Sequence, residues 1–378
     1  MTNAEDEERD SEPLRGLDPS VYTRPIYYEA EVERLFRGGW LCVGRADQIP
    51  DVGDYMTLDL LEEPLLVVRG RDGRIRVLSR VCRHRSADLE PEAPIMTRRH
   101  ASAFVCPYHA WSYRTDGRLA GAPMMQDVSG AERSTCRLPE FPTALWQGWV
   151  FVNLSADAPP FHEGLDDLDT FLAPYELDQM VVVDTATFAS PWNWKVLVEN
   201  FMESYHHIAT HRESLQALFP AKISYVPESD GPYSLLVMPT DAGAEVVPGS
   251  LPRRDLPDEL ATALVAGVVY PFHLFAVSAD VLTWYQLLPE AHDRFSLRVS
   301  ICVDPQAAEN EEFEEARAAQ MALTDHVHRE DIKACDAVWS GLRSRGAVAG
   351  PLCDQERALH QFARWWQARM PQDGRRQS

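Results

Sequence analysis

Hydrophobic positions change their spacing several times along the chain, and each change predicts an element. In YEAEVERLF (28–36) the apolar residues recur at helical intervals and stop at Gly38-Gly39, so a helix is expected there. From Trp40 to about Asn153 the texture is short β-rich runs: YMTLDL (55–60), PLLVVRG (64–70), IRVLSRV (75–81) and GWVFVNL (148–154). Turns are expected at Asp72-Gly73 and Asp116-Gly117. Ala158-Pro159-Pro160 marks a boundary. Beyond it the pattern predicts a helix near 164–174, a strand near 180–188, a helical stretch from Trp194 to Thr210 and several strands between 222 and 303. A long helical region from Ala307 to Arg343 and an amphipathic helix from Asp354 to Arg369 close the chain. Blocks of strands and helices without βαβ alternation predict an α+β fold. The boundaries divide it into an acidic tail (1–14), an N-terminal helical segment (15–39) packing on the C-terminal domain, an antiparallel β domain (40–157) and a larger C-terminal domain (158–378).

Charge narrows the function. Fifty-eight acidic residues against 36 basic ones give a net charge of −22, which argues against a nucleic-acid partner and against docking on anionic lipid. The most apolar stretch, Ala261 to Leu282, is interrupted by Gly267, Pro271, His273 and Asp280, so paired strands are expected rather than a membrane span. The seven cysteines are an odd number scattered over 378 residues, unlike the framework of a small secreted domain, and MTNAEDEERDSE has no apolar signal region. A reducing, cytoplasmic setting is expected, where metal ligation is the more informative use of cysteine.

Two constellations carry that chemistry. Cys82-Arg83-His84 is followed after 21 residues by Cys106-Pro107-Tyr108-His109, a C-x-H pair and a C-x-x-H pair on two hairpin tips. Two thiolates and two imidazoles suit either a tetrahedral zinc or a [2Fe–2S] centre with cysteines on one iron and histidines on the other. Mixed pairs favour the second, since zinc ribbons usually pair C-x-x-C hairpins. The run NWKVLVENFMESYHHIATH (193–211) then gathers Glu199, Asn200, Glu203, Tyr205, His206, His207 and His211. Two His and one carboxylate make the facial set of a mononuclear Fe(II) with open positions. Helical periodicity alone pairs His207 with His211, because i and i+4 share a face. His206 and His211 would meet only at a π-bulge or a helix end. The text HREDIKACDAVWSGLRSR (328–345) offers Glu330, Asp331 and Asp336 as distant carboxylates, with Asp325 three residues before it.

VCRHRSADL and CPYHAWSYRTDGRL resemble the Rieske domains of ring-hydroxylating oxygenases over residues 40 to 155, and the resemblance runs from about Tyr22 to Arg369. It implies a Rieske non-haem iron oxygenase, terminal oxygenase α subunit: an N-terminal antiparallel β Rieske domain and a C-terminal helix-grip catalytic domain with an antiparallel sheet. The interval between the cluster pairs is longer than the family's usual one, which puts an enlarged loop around Pro91 to Arg99. Aligned on the family motif at Asn200, Glu203 and Tyr205, the implied iron ligands are His206, His211 and Asp331. His207 becomes a spacer, expected outside the ligand set or at the surface, and Glu330 is the competitor of Asp331. Cys82, His84, Cys106 and His109 become the [2Fe–2S] ligands.

The family assembles as a head-to-tail homotrimer, which implies electron passage from His109 of one subunit through Glu203 of the next to His206. O₂ is the implied cosubstrate. Electrons come from NAD(P)H through a separate ferredoxin or flavin reductase, since no G-x-G-x-x-G fingerprint is present here. Glutamate at 203, where many dihydroxylating members have aspartate, resembles the branch acting on quaternary ammonium compounds such as betaines, carnitine and choline. The expected reaction is therefore monooxygenation or N-demethylation of a small amine, with arene cis-dihydroxylation as the alternative. An electron carrier or zinc-structured binding protein is the alternative of another class. Tyr270, Phe272, Phe275, Trp284 and Tyr285 are the aromatic residues from which a cage could be built, though aromatics on strands mostly serve the core.

Overall fold

A computed structural model describes residues 14–240 and 256–370. The expected acidic tail lies, but for its last residue, outside the described residues. The β-rich runs become three antiparallel sheets. Asp54–Leu60, Glu63–Arg69 and Ile75–Ser79 form the centre of a five-stranded sheet, edged by Arg99–His100 and Glu140–Phe141. Their central positions are buried because both faces are covered, which is why the runs read as continuous apolar text rather than alternation. Ala103–Val105, Ser112–Arg114 and Leu119–Gly121 form a smaller sheet. Trp40–Arg45, Trp149–Asn153 and Thr143–Trp146 form the third. The long interval after His84 does not stay a loop to its end: Arg99 and His100 pair with Tyr55 and Asp54 at the sheet edge.

The C-terminal half is one six-stranded antiparallel sheet, in the spatial order Val181–Ser190, Arg294–Val303, Leu282–Ala291, His273–Val277, Leu264–Val269, Tyr233–Met238. The apolar stretch 261–282 is accordingly two paired strands and the start of a third, and no described helix is long and apolar enough to cross a membrane. The long helix Phe313–Leu342 packs on the outer strand Val181–Ser190, and Arg357–Arg369 packs on Tyr233–Met238 at the other edge.

The two halves share a core. Trp146, Trp149 and Phe151 of the third small sheet lie against His273 and Phe275 of the large one, with Trp149 and Phe275 ring centroids 5.6 Å apart. Gly267 makes room for this: the Phe275 ring lies where a Cβ would stand, 2.3 Å from its ideal position. Each fully buried side chain of this size contributes about 2–3 kcal/mol of transfer free energy. Ahead of the first strand, the helix Pro25–Glu31 and a π-turn Val32–Phe36 strap the C-terminal half. The fully buried Glu31 accepts from Lys195 Nζ at 2.6 Å and from the indoles of Trp194 and Trp366, each at 2.8 Å.

Candidate metal centres and substrate pocket

The two cysteine loops are built alike. The Cys82 carbonyl accepts from Ser86 N at 3.0 Å and the Cys106 carbonyl from Ala110 N at 3.0 Å. Ser86 and Ala110, each four residues after a cysteine, adopt positive φ of 55° and 58°. Each cysteine N–H donates across its loop, to Ala87 O at 2.8 Å and Trp111 O at 2.7 Å. The loops therefore present matching apices. Cys82 and Cys106 are buried and free of disulfides. The His84 and His109 rings stand 4.8 Å apart, with Trp111 stacked on His84 at 4.7 Å. His84 Nδ1 is buried with no hydrogen-bond partner, as a nitrogen reserved for a metal would be. The donor set and this orphaned nitrogen fit a [2Fe–2S] centre.

The second centre arises where a helix stops. Asn193 caps Trp194–Phe201 by accepting from Lys195 N at 3.1 Å. The expected continuous helix to Thr210 does not form: it ends at Met202, and Tyr205–Ile208 is a separate 3₁₀ turn. Glu203 explains the restart. Its Oε2 accepts from His206 N at 2.9 Å and its Oε1 accepts from His206 Nδ1 at 2.6 Å. That break brings His206 and His211, five residues apart, to ring centroids of 4.9 Å. Asp331 arrives from the long helix, with Oδ1 2.9 Å from His211 Nε2 and 3.5 Å from His206 Nε2. One donor atom from each of the three lies within 4.8 Å of the others, the one such group of three or more among the described residues. Two imidazoles and a carboxylate on one side of a cavity fit a mononuclear iron.

The neighbours sort themselves by hydrogen bonding. Glu330, the sequence competitor of Asp331, accepts from His211 Nδ1 at 2.9 Å and from Ser214 Oγ at 2.6 Å. It thus fixes which nitrogen of His211 faces inward. His207 is buried rather than at the surface; its Nδ1 donates to Phe219 O at 3.3 Å, and its ring stays outside the group of three. Burial pushes His206 down, but its bonds to Asp331 and Glu203 outweigh that and lift it to about 9. Burial and the facing His206 depress His207 to about 4. Burial also opposes ionisation of Asp331, yet the two histidines hold its carboxyl well below the usual range.

A cavity of about 220 Å³ opens from this group, lined by Asn200, Phe201, Phe219 and Tyr285 at the metal end. Gln320, Thr324, Val327 and Asp331 share its floor, a single face of the long helix. Of the five aromatics considered for a cage, Tyr285 lines the cavity; Tyr270, Phe272, Phe275 and Trp284 are buried in the core. Phe201 and Phe219 were missed, since neither stands in the strand region where a cage was sought.

These two centres, on a Rieske-like β half and a sheet gripped by helices, define a class. Residues 39–142 match the Rieske [2Fe-2S] domain and residues 177–372 the ring hydroxylating alpha subunit (catalytic domain), so the chain belongs to the Rieske non-haem iron oxygenase family. Family membership implies a Rieske cluster and a mononuclear iron. Among curated relatives, the glycine betaine monooxygenase oxygenase subunit of Chromohalobacter salexigens is 34% identical over 262 residues, 67% of this chain and 57% of that one. The biphenyl 2,3-dioxygenase subunit alpha of Rhodococcus jostii is 34% identical over 206 residues, 51% of this chain and 42% of that one. The chain thus spans about half the length of these relatives. Among solved structures, a quaternary ammonium Rieske monooxygenase described for carnitine oxidation and inter-subunit electron transfer superposes with a TM-score of 0.79 at 21% identity, covering 94% of each chain, which shows the shared fold.

Proposed function

We propose that this chain is the terminal oxygenase of a multicomponent system, hydroxylating a methyl carbon of a small quaternary ammonium or amine compound. His206, His211 and Asp331 would hold Fe(II), and Cys82, Cys106, His84 and His109 the cluster. The observation that carries this reading is the group of three donors on the wall of a largely apolar cavity. When bound there, iron supplies O₂ activation with electrons received one at a time from a cluster. The chain's own residues do the rest. Glu203 and Glu330 hold the Nδ1 protons of His206 and His211, leaving both Nε2 atoms for the metal. Phe201 and Tyr285, with ring centroids 4.8 Å apart, offer aromatic walls to a cationic head. The cavity lining holds no Lys or Arg among the described residues, which suits a cation.

Assembly as a head-to-tail homotrimer is supported by exposed apolar residues beside both centres: Tyr108 next to His109, and Tyr205 and Ile208 around His206. In that arrangement His109 meets Glu203 of the partner subunit, whose carboxylate bridges to His206. A separate reductase or ferredoxin would deliver electrons from NAD(P)H. All seven cysteines are free, which suits a reducing, cytoplasmic setting. The second reading, arene cis-dihydroxylation, is favoured by the largely apolar cavity and by likeness to the biphenyl dioxygenase subunit. Coupled turnover with a surrogate reductase separates them. Formaldehyde from choline-type amines supports the first reading; cis-diols from arenes, with no formaldehyde, overturn it in favour of the second.

A further inference from the structure

The cavity has two chemically different ends. Asp331 marks the metal end of the long helix, and Gln320, eleven residues earlier on the same face, lies about 16 Å away along the axis. The sheet wall runs in the same direction. Tyr285 stands at the metal end, and Leu282, where the strand begins, is about 10 Å back along it. Beyond Leu282 comes the turn Ser278–Val281, which places Asp280 on the cavity lining at the end remote from the metal group. Val281 beside it packs in one cluster with Phe313, the first residue of the long helix, and so confirms which end this is.

Among the described residues, Asp280 has no cationic partner. Its carboxylate accepts from Ser278 Oγ at 2.7 Å, a neutral partner, and the described lining residues include no Lys or Arg to neutralise it. Glu203 and Asp331, the other carboxylates on the lining, are both engaged by histidines. A carboxylate facing a largely apolar cavity attracts a cationic group and repels an anionic one. A betaine-like substrate with its methylammonium at the metal end would point a carboxylate towards Asp280, so the far end is built against that shape.

We propose that Asp280 is a specificity-determining residue, recognising a cationic group at the far end of an elongated substrate and excluding carboxylate-terminated ones. This rests on the reading of the metal end as a site for a methylated ammonium head. The test is anaerobic calorimetry on the holoenzyme with three hexyltrimethylammonium probes ending in an amine, a hydroxyl or a carboxylate. Wild type binds the amine tightest and the carboxylate weakest. Asp280→Asn, with metal content and visible spectrum unchanged, weakens the amine probe by about tenfold or more, the scale of one charge-assisted hydrogen bond. Asp280→Lys reverses the order. The proposal is overturned if wild type prefers the carboxylate probe, or if Asp280→Asn leaves the three affinities as they were. In either case, binding of the probes keeps the ammonium reading of the metal end. If none of the three binds while an arene does, that reading fails and the proposal with it.

Discussion

Glu203 performs two tasks with one carboxylate, capping the turn that restarts the chain after the site helix and holding the Nδ1 proton of His206. His207 does neither. His206→Ala and His211→Ala are therefore expected to lose the mononuclear iron and turnover while the visible cluster spectrum persists; His207→Ala should retain its iron. Iron analysis of the three variants checks this. A second residue-scale expectation concerns Glu199, whose carboxylate accepts from Tyr22 OH across to the N-terminal segment. Burial lifts it from 4.5 to about 7, against the opposing pull of Tyr22 and Lys195. With the folded-state value raised, the folded protein binds the extra proton, so this stability is fully present below pH 4.5 and is lost as pH rises through about 7. Glu199→Gln should flatten that loss. Melting temperatures of the two proteins should draw apart across this window in favour of the variant at the upper end; parallel curves would refute the assignment.

Element by element, the strands and the long helix were legible because burial on both faces, or one apolar stripe, writes itself into local text. The two Cys/His pairs proposed to hold the cluster stand out in local text, since both pairs are local and their loops are built alike. The iron site was half legible. Periodicity pointed to His207 and His211, because it assumes an unbroken helix through 203–206, and a side chain–backbone bond from Glu203 decides otherwise. Glu330 beside Asp331 illustrates the same limit: both acids sit on one helix, and only the approach of His211 separates the one at Nε2 from the one at Nδ1. The N-terminal helical segment was expected on the C-terminal domain, but local text did not reveal the buried pair between them. Glu31 and Lys195 are 164 residues apart, yet form a fully buried pair. Lys195→Met should leave Glu31 short of its cation and destabilise the protein by about 3–5 kcal/mol, whereas the double change Glu31→Gln, Lys195→Met should recover much of that loss. Denaturant midpoints of these two variants and of the single Glu31→Gln variant test the pairing; a Lys195→Met variant as stable as wild type would disprove it.

At the scale of the whole molecule, two centres in one chain make sense as an electron store and a site of oxygen chemistry. The shared core of Trp149, His273 and Phe275 fixes the two halves against each other. Tyr108 and Tyr205 are exposed beside the two centres, where the proposed head-to-tail assembly needs a contact. A cluster and a separate iron are expected to occupy one polypeptide. Iron, zinc and acid-labile sulfide determined together on the purified protein decide this. The expected result is about three irons and two sulfides per chain, with little zinc. A colourless protein carrying one zinc and no sulfide would contradict it.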